Sequence, residues 1–172
     1  MKNILPARNS RQSGASLIVV LILLLVMTLL GLAVLGNTLL EERMSANMFD
    51  RSLGFQAAES ALREGEALVA AGPTVPGTGC TAGVCATPVA TDPDRWTDAT
   101  FTGWTAATSN LGALPAPASY FVEFMGDAPT WPGCDRKFPV DPLCMAPRYR
   151  VTARSTAADR ADVILQTNFI VR

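Results

Sequence analysis

The longest apolar segment of the chain lies near its N-terminus. Residues 12–40 contain no ionisable side chain, and within residues 17–35 only Thr28 and Gly31 are not strongly apolar. These 19 residues would form about 28 Å of α-helix, which is close to the thickness of the hydrocarbon core of a bilayer. The pattern therefore predicts one membrane-spanning helix in this part of the chain.

Helix-forming residues continue well beyond the apolar segment. Residues 15–71 contain no proline and are rich in Leu, Ala, Glu, Arg and Met, which favour helices. The pair Gly72-Pro73 is a typical signal for the end of a helix. In the outer half, apolar residues recur seven positions apart, and we expect this stripe to be buried against the rest of the protein. Its members are Met48, Phe55, Leu62 and Val69.

Alternating apolar and polar residues predict three strands near the C-terminus, at residues 119–126, 148–155 and 162–171. Residues 156–160 would turn the last two strands into a hairpin. Residues 72–118, by contrast, are dense in Gly, Pro, Ala and Thr, which predicts loop with little regular structure. We therefore expect an α+β fold, in which a small antiparallel sheet packs against the outer half of the helix.

Two groups of side chains in this region suggest contacts. Trp96 and Trp104 lie in the predicted loop, and we expect such aromatic residues to pin it to the core. Arg148, Arg150 and Arg154 lie on the polar face of the second predicted strand. This exposed basic row is either a solvated strand face or a surface for an acidic partner.

The charges indicate the compartment and exclude one class of partner. Lys2, Arg8 and Arg11 precede the apolar segment without any acidic residue, whereas Glu41, Glu42 and Arg43 follow it. Since basic residues stay on the cytoplasmic side, the N-terminus is expected inside and the rest of the chain outside. The formal net charge of −1 and the lack of a basic patch argue against a nucleic-acid partner.

The four cysteines agree with export to an oxidising compartment. Cys80 and Cys85 are five residues apart, and Cys134 and Cys144 are ten apart. Of the three pairings that four cysteines allow, we prefer these two local disulfides. A zinc site built from all four is the alternative, but the spacing is not that of a repeated zinc-binding pair.

No feature of the sequence predicts catalysis. The chain has no His, which excludes Ser-His and Cys-His nucleophile pairs and His-metal sites. Carboxylates in the loops could contribute to a calcium site, although they lack EF-hand spacing and are more typical of solvated loops. They are Asp92, Asp94, Asp127 and Asp141. We expect a protein that is not an enzyme and that holds no metal or cofactor.

The residues around Gly14 resemble a known processing site. A short basic leader ends in Gly14, and Ala15 and an uninterrupted aliphatic run follow. This arrangement is similar to the prepilin peptidase site of the type IV pilin superfamily. The resemblance implies removal of residues 1–14 and methylation of the new amine of Ala15. An ordinary secretory signal would have a shorter apolar run, and an uncleaved signal anchor is the remaining alternative.

The resemblance extends along the helix. Residues 39–44 and 55–63, together with Asn47, Asp50 and Arg51, are similar to the N-terminal region of PilX-type minor pilins. The resemblance implies a pilin-like fold. In that fold residues 15–40 form the transmembrane and assembly helix, residues 41–71 its outer half, and residues 72–172 a disulfide-stapled loop and sheet domain. Cys134–Cys144 would match the late disulfide of pilins.

Three positions in the helix are candidate assembly residues. Most pilins carry Glu at the fifth position of the mature chain, where this chain has Val19. In the family this Glu neutralises the amine of the neighbouring subunit, so its absence implies a position at the fibre tip, unless Val19 is merely another lipid-facing residue. Gly31 and Gly36 each weaken the helix by about 1 kcal/mol. They are either soft spots for leaving the bilayer or close-packing positions between helices.

The resemblance implies a minor pilin that primes and caps a type IV pilus at its tip, with links to twitching motility and cell adhesion. The implied partners are other minor pilins, the major pilin, prepilin peptidase and a large tip adhesin. The protein would first lie in the inner membrane, with its C-terminus in the periplasm, and then in the fibre. The alternatives are a tip pseudopilin of a type II secretion system and a pilus-displayed adhesin module.

Overall fold

A computed structural model of the protein describes residues 14–112 and 114–171, without the side chains of residues 35–37. The chain divides into two compact units, of which the first ends at Ala46 and the second begins at Asn47. One helix, α1, runs from Ala15 to Ala70, so the predicted helix is confirmed. It ends where expected because Gly72 takes a left-handed conformation with φ of 70°, and its N–H donates to the carbonyl of Val69 at 3.0 Å.

The first unit contains the apolar part of α1. This helix is long and apolar enough to cross a membrane by length and composition. Every large apolar side chain that the structure describes between Leu17 and Val34 is exposed. The described residues leave these side chains uncovered, which is typical of a surface that contacts lipid or another protein.

The second unit contains a mixed sheet of six strands. Its strand order is β1-β2-β4-β5-β6, and β3 pairs with the beginning of β4. The strands are β1 (Cys80–Thr81), β2 (Val84–Cys85), β3 (Thr105–Ala106), β4 (Ser119–Pro129), β5 (Met145–Ser155) and β6 (Val163–Ile170). The three long strands are antiparallel, which confirms the three predicted strands and the hairpin. The parallel pairing of β2 with β4 was not predicted, because both β2 and the other short strands lie in the region predicted as loop.

One face of the sheet packs against the outer part of α1. Tyr120 pairs with Ala153, Val122 with Val151, and these side chains form the core together with buried residues of the helix. The helix residues in this core are Ala57, Ala61 and Val69. The α+β arrangement of a long helix on a sheet is therefore confirmed.

The predicted stripe of the helix is only partly buried. Val69 is buried and Leu62 packs at the edge of the core, but Met48 is 72% exposed and Phe55 is 48% exposed. The prediction was wrong for these two residues because the sheet packs closest to the smallest side chains. Ala58 and Ala61 are both fully buried. The buried face of the helix is therefore centred on these small residues, and Met48 and Phe55 lie on its exposed side.

Residues of the region predicted as loop cover the opposite face of the sheet. Phe121, Glu123 and Thr152 lie on that face and are fully buried. Arg95 hydrogen-bonds to Glu123, and Trp104 contacts Phe121. The second unit thus has three layers, which are the helix, the sheet and a covering segment. This covering segment lies within residues 72–118 and includes Arg95 and Trp104.

Candidate functional site

The beginning of the helix presents the candidate processing residues. Gly14 is exposed and lies just before α1, which begins at Ala15. A Cβ atom at Gly14 would meet no atom of the described residues within 4 Å. Val19 is on the next turn of helix and is 55% exposed. The predicted leader that precedes Gly14 lies outside the described residues.

The two candidate soft spots lie within continuous helix. A Cβ atom at Gly31 would meet nothing within 4 Å, so the part of the chain that the structure describes gives no packing reason for the glycine. The surroundings of Gly36 lie outside the described side chains. Bending and close helix packing both stay predictions for these positions.

An exposed apolar stripe continues along the outer part of α1. Met44, Met48 and Phe55 are all exposed, and their spacing of four and seven residues places them on one side of the helix. Phe49 is exposed beside them. A row of large apolar residues on a helix surface is typical of a contact with another protein.

Two carboxylates of α1 hold other parts of the second unit to the helix. Asp50 accepts a hydrogen bond from the N–H of Ala161 at 2.6 Å and forms an ion pair with Arg160, which fixes the β5–β6 turn. Glu64 accepts hydrogen bonds from the N–H groups of Thr108 at 2.8 Å and Ser109 at 3.0 Å. Sequence reasoning did not assign these roles, because the partners are backbone groups far along the chain that no residue pattern marks.

The contacts of Glu64 predict a pH-dependent stability. Partial burial raises the pKa of Glu64, but the hydrogen bonds from Thr108 and Ser109 outweigh it, so its pKa lies below the ordinary value of 4.5. A lowered pKa stabilises the fold fully above the ordinary value, and the contribution is lost as the pH falls through the folded pKa. We expect Glu64→Gln to cost about 1–2 kcal/mol at pH 7 and progressively less below pH 4.5.

Urea unfolding of the detergent-solubilised full chain, followed by tryptophan fluorescence between pH 7 and 3, measures this effect. The matched control is Glu66→Gln on the same helix. Glu66 accepts no hydrogen bond from the residues that the structure describes, so we expect little change. Equal losses for Glu64→Gln at pH 7 and pH 3 would contradict the role given to this carboxylate.

A buried charge cluster fastens the covering segment to the sheet. Glu123 of β4 is fully buried and accepts hydrogen bonds from Arg95 Nη1 at 2.8 Å and from Arg150 Nε at 2.7 Å. Arg95 Nη1 also donates to the carbonyl of Ala86 at 2.9 Å. Asp94 lies 3.5 Å from Arg150 Nη2. Both guanidinium groups are thereby neutralised within the domain.

Aromatic side chains extend this internal layer. Trp104 stacks edge-on against Phe121 at 4.7 Å between ring centres, and the guanidinium of Arg154 lies 3.9 Å from the Trp104 ring centre, which is a cation–π contact. Burial lowers the pKa of Arg154, opposed by the charge of Asp162. Trp104 thus pins the covering segment to the core, as predicted. Trp96, for which the same role was predicted, is more exposed than Trp104.

The predicted exposed basic row is used inside the molecule. Arg150 pairs with Glu123, Arg154 covers Trp104, and Arg148 Nη2 donates to the carbonyl of Met125 at 3.4 Å. All three side chains are half-buried. The prediction of an exposed row was wrong, because the segment after β2 covers this face of the sheet.

The cysteines form the two predicted local disulfides. Cys80 pairs with Cys85 across the β1–β2 hairpin, and Cys134 pairs with Cys144. All four are thus committed to disulfides and none serves as a zinc ligand. Among residues 14–112 and 114–171, no group of three or more Cys, Asp or Glu residues is arranged to hold a metal.

The Cys134–Cys144 disulfide closes an apolar surface loop. Both cysteines are buried, whereas Phe138 and Leu143 between them are exposed. Beside the loop lies an open groove of about 470 Å³. Its lining residues include Trp131, Pro142, Leu143, Met145, Pro147 and Val171.

Removal of this disulfide should destabilise the second unit. For the double substitution Cys134→Ser and Cys144→Ser we expect a loss of about 2–3 kcal/mol, because the ten-residue separation constrains the unfolded chain. Thermal unfolding of the full chain in detergent measures it. Phe138→Ser in the same loop is the matched control and should change stability by less than about 0.5 kcal/mol. Equal stability of the double variant and the unmodified chain would show that the loop is held by its other contacts.

Two family models together match most of the chain. The model described as PilX N-terminal matches residues 13–63, and the model described as type IV pilus assembly protein PilX C-term matches residues 69–171. No curated protein and no solved structure shows significant similarity to the chain.

Proposed function

Because the chain belongs to the PilX family of type IV pilus assembly proteins, we propose that it is a minor pilin that primes and caps fibre assembly at the pilus tip. The match to both parts of the family, over the helix and over the sheet domain, is the observation that carries this proposal. We propose a structural role without catalysis, in which the protein supports fibre-dependent adhesion and twitching motility.

The proposal includes processing by prepilin peptidase between Gly14 and Ala15. A protease that lies at the membrane needs an extended, accessible backbone at the bond that it cuts. Gly14 is exposed and lies outside the helix, and α1 begins directly after it. The cut would leave the helix intact and place the new, methylated amine of Ala15 at its first position.

The proposed tip position rests on Val19. In a fibre, a carboxylate at this position would pair with the amine of the next subunit, and without that partner a buried carboxylate costs several kcal/mol. Val19 is aliphatic and exposed on the helix surface, so it carries no such cost. A subunit with this residue suits the end of the fibre, where no further amine needs a partner.

The exposed surfaces of α1 support lateral assembly. The apolar residues between Leu17 and Val34 would face lipid while the subunit waits in the inner membrane, with its C-terminal domain in the periplasm. In the fibre the same residues would pack against the helices of other minor pilins and of the major pilin. Met44, Met48 and Phe55 extend that contact beyond the membrane.

Deletion of the protein tests the assembly role. We expect a strain without it to lose surface fibres, and a strain with fibres but without attachment would instead identify a displayed adhesin module. Both family models describe pilus proteins, which favours this system over type II secretion. Immunogold labelling of isolated fibres tests the position. Label at one end is expected, and label spread along the shaft would exclude the tip.

A further inference from the structure

The last strand, β6, has a free edge. β5 pairs with it over all eight residues, from Ser155↔Val163 to Arg148↔Ile170. Among residues 14–112 and 114–171, no strand pairs with its other side. In an antiparallel ladder alternate residues point their N–H and C=O groups to opposite sides, so about half of the β6 residues direct these groups away from β5.

The sequence of β6 has none of the features that usually protect such an edge. Val163–Ile170 contains no charged residue, no proline and no glycine, although charges, prolines and bulges commonly block strand edges. The opposite edge of the sheet is different. It ends in the two-residue strands β1 and β2, which the Cys80–Cys85 disulfide closes. One edge is therefore short and stapled, and the other is long and open.

Burial shows that the core is incomplete at β6. Val163, Leu165, Thr167 and Phe169 are only half-buried. Their direct partners on β5 are Ser155, Ala153, Val151 and Tyr149. All four of those partners are buried. An additional strand beside β6 would cover the half-buried side chains and satisfy the free backbone groups at once.

We propose that β6 accepts an extended segment of another pilus protein as an added strand. This inference rests on the proposed assembly role, since it seeks the partner among pilus proteins. The row of free N–H and C=O groups defines the partner as extended backbone, because no other structure pairs with every second residue. The segment would contain about six to eight residues without proline, apolar at alternate positions and uncharged opposite β6.

The β6 strand of a second copy of this chain is the other extended segment that could pair with this edge. The cross-linking experiment distinguishes it from a different pilus protein.

Hydrogen exchange of the full chain tests the added strand. Amides of β6 are compared in the purified protein in detergent and in the pilus complex extracted from cells. We expect at least about tenfold slower exchange in the complex for the β6 amides that do not pair with β5. Equal exchange in the two samples would overturn the proposal.

The partner is identified by placing the photo-cross-linker benzoylphenylalanine at Gln166 of the full chain in living cells. A cross-link to an extended segment of a different pilus protein is expected. A cross-link between two copies of this chain, or none in cells that carry fibres, would overturn the proposal.

Substitutions on the exposed side of β6 give an independent measure. Ile164→Lys and Ile170→Lys together should remove the protection of β6 and the cross-link at Gln166, because charges on an edge strand oppose pairing. Val140→Lys on the disulfide loop is the matched control, since Val140 has similar exposure, and it should leave both intact. Thermal unfolding verifies that all variants fold.

The proposed function fails separately, in the deletion strain. Fibres that persist without the protein would refute the assembly role. The added strand alone would be refuted if fibres need the protein but assemble normally when it carries both Ile164→Lys and Ile170→Lys and its β6 amides are not protected from exchange.

Discussion

Glu123→Ala is expected to lower the free energy of unfolding by about 3–5 kcal/mol, since one partner of a buried charge cluster is removed. The carboxylate is fully buried and is the hydrogen-bond acceptor for both Arg95 and Arg150. Without it, two guanidinium groups would lie close together between the sheet and the covering segment, with Asp94 as the remaining anion beside Arg150. The covering segment should detach first, because Arg95 holds it to the sheet.

Urea unfolding of the full chain in detergent, followed by tryptophan fluorescence, measures this loss. Glu59→Ala is the matched control, because Glu59 pairs with Arg63 at 2.7 Å on the exposed helix surface. Such exposed pairs contribute less than about 1 kcal/mol. A similar small loss for both variants would show that the buried cluster does not hold the covering segment.

Gly65→Leu is expected to destabilise the second unit by about 3 kcal/mol, at the upper end of the usual cost of overpacking. A Cβ atom at Gly65 would lie 2.5 Å from Cγ1 of Val151 and 3.1 Å from Cδ2 of Tyr120. Both neighbours belong to the buried core, so the helix and the sheet would have to separate. Leu favours the helix over Gly by only about 1 kcal/mol, so this gain offsets only part of the loss.

The same unfolding experiment compares this variant with Ala67→Leu. Ala67 lies two residues further along the helix and is exposed, so the same new side chain should change stability by less than about 0.5 kcal/mol. If Gly65→Leu were as stable as Ala67→Leu, the helix and the sheet could not approach each other as closely at Gly65 as the structure indicates.

The elements of the fold could be predicted because their signals are local. The apolar run, the Gly72-Pro73 stop and the alternation in the three long strands each lie within a short stretch of sequence. The disulfides were predictable for the same reason, since each pairs cysteines that are ten residues apart or closer.

The packing of the elements was less predictable. The apolar pattern favours Met48 and Phe55 as buried residues, but the sheet packs on Gly54, Ala61 and Gly65. Small side chains carry little hydrophobic signal, although they allow the closest approach. Apolar residues repeat every seven positions both on a helix face that is buried in the core and on one that contacts another protein. The sequence alone does not distinguish these two cases.

The polar contacts depend on distant partners. Arg95 and Glu123 are 28 residues apart, and Asp50 meets Ala161 across 111 residues. Nothing in a single sequence pairs such residues, so Arg150 was interpreted as part of an exposed row. The candidate assembly residues Gly14, Ala15 and Val19 were found instead by a resemblance to a family. The family is shown by the matching models, and the roles of these three residues stay predictions.

The N-terminus of the mature protein tests the central claim most directly. The full chain is produced with and without an active prepilin peptidase, and its terminus is determined by mass spectrometry. We predict that the peptidase yields a chain that begins at N-methylated Ala15. A terminus still at Met1 beside active peptidase, or a cut after the apolar segment, would contradict the proposal that this chain is processed and assembled as a minor pilin.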